Sequence, residues 1–237
     1  PFFVKQKKYC IDEGTQFNDY KDTYNDYIQY KEQNSAMRKA KKIIKDFNGD
    51  THKTVLFLSY KAENWNTMDN IYKKYCQEKD IKVIVQCVPY YYKNIDGTFE
   101  KYIDGGMYPE YVTITPIEDY NYVNENPDVI VFQYPYDNYN SAGTTDPVFY
   151  SYNLASHTQK LIYIPYFRTD EIDENDMRAY TNMDAYVTMP GVVYADKVIV
   201  QSEEIRKLYI KKLTDFFGEE SEDEWEDKIE AEDIGGI

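Results

Sequence analysis

Four apolar runs in this chain end alike. The segments "LSYK" (58–61), "VPYYYKN" (88–94), "QYPYDNYN" (133–140) and "IPYFR" (164–168) all close on tyrosine, and three of the four place proline before it. Proline offers no N–H to a strand ladder and holds φ near −65°, so at the last residue of a strand it ends pairing and directs the next side chain past the edge. Tyrosine adds a flat apolar ring with a hydroxyl tip. Rings side by side would meet the C–H faces of a hydroxylated ligand while the phenols met its oxygens. Tyr60, Tyr90, Tyr91 and Tyr136 are the expected ring contacts, with Trp65 beside them. Lys61, Lys93 and Arg168 stand next to the rings and offer positive charge to a phosphate. Asp137 and Asp170 are carboxylates placed to accept a proton. Asp137 and Tyr166 are the expected catalytic pair.

These side chains can converge only if the strands carrying them lie parallel. Apolar, β-branched runs at 54–60, 81–90, 111–115, 128–134, 160–166 and 197–202 read as six strands. They are nearly continuous in apolar character and separated by crossover lengths, the signature of a parallel sheet covered on both faces. Helical spacing marks 15–47, 64–77 and 203–217, the last with Ile205, Leu208, Tyr209, Leu213 and Phe216 on one face and Gly218 at its end. Residues 92–109 read as a long loop. In the first helix Tyr20, Tyr24, Tyr27 and Ile28 share a face, as do Met37, Ala40, Ile44 and Phe47, with Gly49 as its C-terminal stop. The fold class expected is a doubly wound, mainly parallel, Rossmann-like α/β domain over 50–218. A helical N-terminal extension over 1–49 precedes it, and an acidic helix or linker over 219–237 follows. In such a sheet all strand C-termini share one edge, and ligands bind where the strand order reverses.

The formal net charge of −15 is concentrated locally: residues 219–233 carry ten acids and one lysine. No basic stripe runs along the chain, which excludes nucleic acid as a partner. With only His52 and His157 a histidine metal cluster is excluded, and Cys10, Cys76 and Cys87 form no C-x-x-C pair, the usage of reduced core thiols. No apolar run is long enough for a membrane span. The turn after the first strand, "LSYKAENW", lacks the Gly-x-Gly-x-x-Gly of a dinucleotide site, and no phosphate-binding Gly-Lys-Ser/Thr loop or Gly-x-Ser-x-Gly elbow occurs. The ends, Pro1 and "DIGGI", read as cuts in a longer protein.

The segments "PYYYKNIDGTFEKY", "DVIVFQYPYDNYN", "YIPYF" and "ADKVIVQSE" occur in the order found in the N-terminal region of bacterial CDP-glycerol glycerophosphotransferase-like proteins, and residues 50–230 resemble that region. The resemblance implies the N-terminal half of a GT-B architecture. The CDP-glycerol donor would bind a missing C-terminal half, this half binding no cofactor and contributing the acceptor side, a polyol-phosphate or glycan polymer of the cell envelope. It also implies a cytoplasmic location at the inner membrane face, peripheral membrane association, and no activity for this half alone. Polymerases of the family end a comparable strand on Trp-His-Gly, whose His looks like the general base. Here that strand ends Ile164-Pro165-Tyr166-Phe167, so the base would have to be a carboxylate such as Asp137 or Asp170. Two other readings of the residues stay open: a non-catalytic module that binds a glycan or polyol phosphate, and a structural or interaction domain. A cleft filled by its own side chains would favour the latter.

Overall fold

The computed structural model describes residues 16–47, 53–102, 104, 106–170, 172 and 176–235. Cys10, Gly49, His52 and Gly105 lie outside the described residues, as does the side chain of Tyr20. In chain order the elements are α1 (Gln16–Phe47), β1 (Lys53–Ser59), α2 (Asn66–Gln77), β2 (Ile81–Cys87), β3 (Tyr90–Lys93), β4 (Phe99–Tyr102), α3 (Tyr122–Glu125), β5 (Val129–Phe132) and β6 (Gly143–Thr145). There follow α4 (Ser151–Ser156), β7 (Lys160–Tyr163), α5 (Met177–Asn182), α6 (Asp184–Val187), α7 (Pro190–Tyr194), β8 (Lys197–Val200), α8 (Glu203–Phe217), α9 (Glu222–Lys228) and β9 (Ile229–Ala231).

Six strands form one sheet in the order β2-β1-β5-β7-β8-β9, every neighbouring pair parallel. Side chains alternate across it, as the pleat requires. Leu56, Leu58, Ile130, Phe132, Leu161 and Tyr163 enter one core, with residues of α4, α7, α8 and α9. Val55, Phe57, Val131, Ile162 and Ile164 enter the other, where Trp65 and the α2 residues Met68 and Ile71 cover them. Both faces are buried, which explains the absence of polar alternation in these strands. The doubly wound α/β class is therefore observed.

Four expectations need correction. The 111–115 strand contributes a single parallel bridge, Ile114 against Val85 at the outer side of β2. The run 81–90 breaks at Val88-Pro89, and Tyr90 starts a second sheet of order β4-β3-β6, so part of the segment read as loop is an antiparallel hairpin. The third correction concerns α1. Its Met37/Ala40/Ile44/Phe47 face points outward, with Met37 37% and Phe47 89% exposed. The face that docks carries Tyr24, Tyr27, Ile28 and Tyr30, then a row of polar side chains. Arg38 donates to the Ala155 carbonyl, Lys41 to the Ser156 carbonyl, and Lys45 pairs with Asp128. Carbonyls at a helix C-terminus have no partner within the helix, and cations satisfy them well.

The fourth correction is the acidic tail. It forms the expected helix, α9, but its continuation is no linker, because β9 pairs with β8 in the register Val198↔Ile229. Trp225 is 0% exposed, and Ile229, four residues on, is buried with it. The many acids occupy the other faces of this segment, so its composition hides two deep apolar anchors. Among the described residues no helix is long and apolar enough to cross a membrane, and no three His, Cys, Asp or Glu side chains gather as for a metal ion.

Candidate functional site: an aromatic rim at the switch point

The strand order reverses between β1 and β5. With the Ile114 bridge counted as the third strand in chain order, the sheet reads 3-2-1-4-5-6-7, the dinucleotide-fold order extended by one strand, and the switch point lies at the ends of β1 and β5. Gln133 fixes the two ends together. Its side-chain oxygen accepts from the Tyr60 amide at 3.0 Å, and its nitrogen donates to the Asn64 carbonyl and the Thr67 hydroxyl at 2.9 Å each. A buried amide with its partners in place is a rigid hinge pin for the residues that follow. Two glycines admit close approach. A Cβ on Gly191 would stand 2.4 Å from Pro135 Cα, and one on Gly143 would strike the Tyr90 ring.

The tyrosines do converge. The Tyr60 ring lies 5.1 Å from Tyr90, 5.2 Å from Tyr134 and 4.9 Å from Tyr166. Tyr136 and Tyr166 bring their hydroxyls within 3.3 Å. The small sheet supplies Tyr90 and Tyr102 and sits over the switch point, anchored by the Tyr134 hydroxyl donating to the Gly143 carbonyl. Edge-to-face and tilted contacts at these separations are the favourable geometries for aromatic pairs. The rings fill the crevice they surround. The cavity beneath Tyr60 and Tyr134 measures about 10 Å³, room for one water at most. A ligand would rest on the half-buried Tyr136 and Tyr166 rather than enter between the rings.

The charged residues expected at the rim divide. Lys61 belongs to it: its ammonium stands 5.2, 5.8 and 4.8 Å from the ring centres of Tyr60, Tyr90 and Tyr102, with Glu63 at 3.7 Å. That is a cation–π cage built within the chain. Lys93 instead ties the Asn138 and Asn140 carbonyls at 2.7 Å each, holding the loop between β5 and β6. Arg168 donates to the Gly235 carbonyl at 3.0 Å, with the Asp233 carboxylate 3.9 Å away. Trp65 is a core residue, packed against Phe57, Tyr72 and Tyr108. Tyr91 lies on the face of β3 opposite Tyr90 and so points away from the cluster. Asp170 is exposed.

Asp137 does not reach the rim as the catalytic expectation required. It is buried at positive φ (50°), and both carboxylate oxygens are taken, one by the Ser151 amide and one by the Ser151 hydroxyl, at 2.9 Å each. Its role is to hold the start of α4. Burial pushes its carboxyl up to about 7, against the two Ser151 hydrogen bonds that favour the charged form. Burial also holds the phenols of Tyr60, Tyr134 and Tyr136 far above their ordinary range, so none of them is a base near neutral pH. Sequence reasoning passed over Gln133, Tyr134, Tyr102 and Gly143. Gln133 had a visible signal, a lone amide inside the apolar run "DVIVFQY"; Tyr102 and Gly143 had none, since they act through a second sheet that periodicity did not reveal. No family model, curated protein or solved structure matches the chain.

Proposed function

We propose that the C-terminal edge of this sheet is the acceptor-recognition face of a transferase that moves glycerol phosphate, or a related polyol phosphate, from a CDP-activated donor to a cell-envelope polymer. In this reading the domain supplies contacts, the donor binds a second half, and the general base comes from elsewhere than Asp137. One observation carries the reading: Tyr60, Tyr90, Tyr136 and Tyr166, far apart in sequence, gather at the switch point with the Lys61 ammonium among them. Paired phenols and a cation form a surface suited to hydroxyl and phosphate groups. The test is a titration of the chain with a glycerol-phosphate oligomer, followed by calorimetry and by the NMR signals of the rim. Millimolar or tighter binding is expected, weakened about fivefold by Tyr136→Ala with Tyr166→Ala, the loss of two half-buried contacts worth about 1 kcal/mol together. No heat and no rim shifts at 10 mM oligomer would refute it.

A second reading has its own observation. The ring cluster is packed almost without void, as a structural seam between the two sheets would be. In that case Tyr60→Ala destabilises the fold and the oligomer titration stays silent.

A further inference from the structure

At the opposite edge of the sheet, where β7 and β8 begin, α1 and the body enclose a cavity of about 360 Å³. We infer that this cavity is a binding site for a small hydroxylated phosphomonoester, such as a sugar phosphate, held by Lys39 and Lys42 at its mouth and by Asn34 within. The inference does not rest on the aromatic rim, which lies beyond the other ends of the strands.

The first support is charge. Five Lys or Arg side chains line the cavity against two carboxylates, in a chain whose net charge is −15. Several of these charges are committed. Lys31 pairs with Glu224, Arg38 is held by Asp196 and the Ala155 carbonyl, and Lys228 is given to the Tyr27 hydroxyl and the Val193 carbonyl. The exposed ammoniums of Lys39 and Lys42 are the charge offered to a ligand. They lie at i and i+3 on α1, one turn apart, so a single phosphate can meet both.

The second support is a buried amide. Asn34 is 6% exposed and lines the cavity, and its side-chain oxygen has no hydrogen-bond partner. Its nitrogen donates to the Ala155 carbonyl at 3.3 Å and faces the Tyr30 hydroxyl at 3.4 Å. Exchanging the amide's oxygen and nitrogen would set oxygen against the Ala155 carbonyl, so the acceptor is the atom left over. A buried acceptor without a donor costs about 1–3 kcal/mol, which a ligand hydroxyl donating to it would recover while the Ala155 bond holds the amide in place. An acceptor inside and cations at the mouth together select a ligand with a hydroxyl at one end and a phosphate at the other. The volume is at the lower end of small-molecule sites, right for a pentose or hexose phosphate.

Calorimetry on the full chain tests this with ribose 5-phosphate, inorganic phosphate and ribose as separate titrants. Ribose 5-phosphate should bind at least tenfold tighter than inorganic phosphate, and ribose should give no heat. Lys39→Glu with Lys42→Glu changes only exposed side chains and should weaken ribose 5-phosphate at least tenfold. Asn34→Leu, if its melting curve matches the parent, should bring ribose 5-phosphate down to the level of inorganic phosphate. Unaltered binding in the double lysine variant, equal affinity for the two phosphates, or no heat from either, with a solvent water meeting Asn34, would overturn the inference.

Discussion

Asp137→Asn separates a structural carboxylate from a catalytic one. Asn is the same size, can accept from the Ser151 amide through its oxygen, and can donate to the Ser151 hydroxyl, so the contacts that hold α4 are kept. What it removes is a titration. The native carboxyl ionises only at about 7, whereas in the unfolded chain it ionises near 3.9. Between those values the native state holds a proton that the unfolded state has released, so stability falls as pH rises, and the fall ends once pH passes the native value. Three units correspond to about 4 kcal/mol in all, of which roughly 2–3 kcal/mol falls between pH 5 and pH 7.5. For a domain of this size that is about 5–10 °C in melting temperature. The assay is urea or thermal unfolding of parent and variant at half-unit steps of pH. The two curves should draw apart by about 2–3 kcal/mol between pH 5 and pH 7.5, the parent losing stability relative to the variant. Parallel curves would show a carboxylate ionised throughout. Lost turnover in a complete enzyme at unchanged stability would return Asp137 to the chemistry.

Lys228 gives the complementary slope. Burial lowers its amine to about 7, so from about pH 7 toward 10 the unfolded chain holds a proton that the native one has lost, and stability rises with pH. Lys228→Met should flatten that rise between pH 7 and about 8.5, before the tyrosines of the unfolded chain, ionising near pH 10, contribute an opposing slope. A slope unchanged in the variant would place the titration elsewhere. Trp225→Ala should cost roughly 3–5 kcal/mol in urea unfolding, as large truncations in a packed core do; a loss under 1 kcal/mol would make the tail the dispensable appendage its composition suggests.

Much of the sheet was legible because its strands are buried on both faces and therefore read as continuous apolar runs: β2, β5, β7 and β8 fall inside the segments expected, and β1 starts one residue before its own. The expected strand at 111–115, with Val112 and Ile114 as its strand-like residues, shrinks to the Ile114 bridge outside β2. The opposite edge of the sheet is taken by Ile229–Ala231, three residues in a run of acids. Pairing partners outside a short strand decide whether it forms, and no local pattern carries that information. The convergence of the tyrosines followed from parallel topology alone. Their packing did not, because whether side chains line a crevice or fill it depends on the second sheet. Lys93 and Arg168 show the same limit: each has the residue type for a phosphate, yet each neutralises backbone carbonyls that no spacing rule would bring near.

The two segments set apart as extensions turn out to be each other's partners. Tyr27 of α1 packs on Trp225 at 5.4 Å and on Phe217 at 6.0 Å. Its hydroxyl donates to Glu224 at 2.9 Å and receives a hydrogen bond from Lys228 at 2.7 Å, across 201 residues of sequence. Lys228 also donates to the Val193 carbonyl, and Lys31 pairs with Glu224. The basic helix at one end of the chain and the acidic helix at the other thus close over the β7–β8 side of the core, and β9 becomes the edge of the sheet beside β8. A three-residue edge strand set in a run of acids is the kind of edge that resists pairing with another chain. Because the closing contacts have the longest sequence separations in the fold, their loop-closure cost is met only when most of the chain is ordered. The α1–α9 clasp is therefore expected to form late in folding, which a φ-value near zero for Trp225→Ala would check, and the cavity between α1 and the body depends on it.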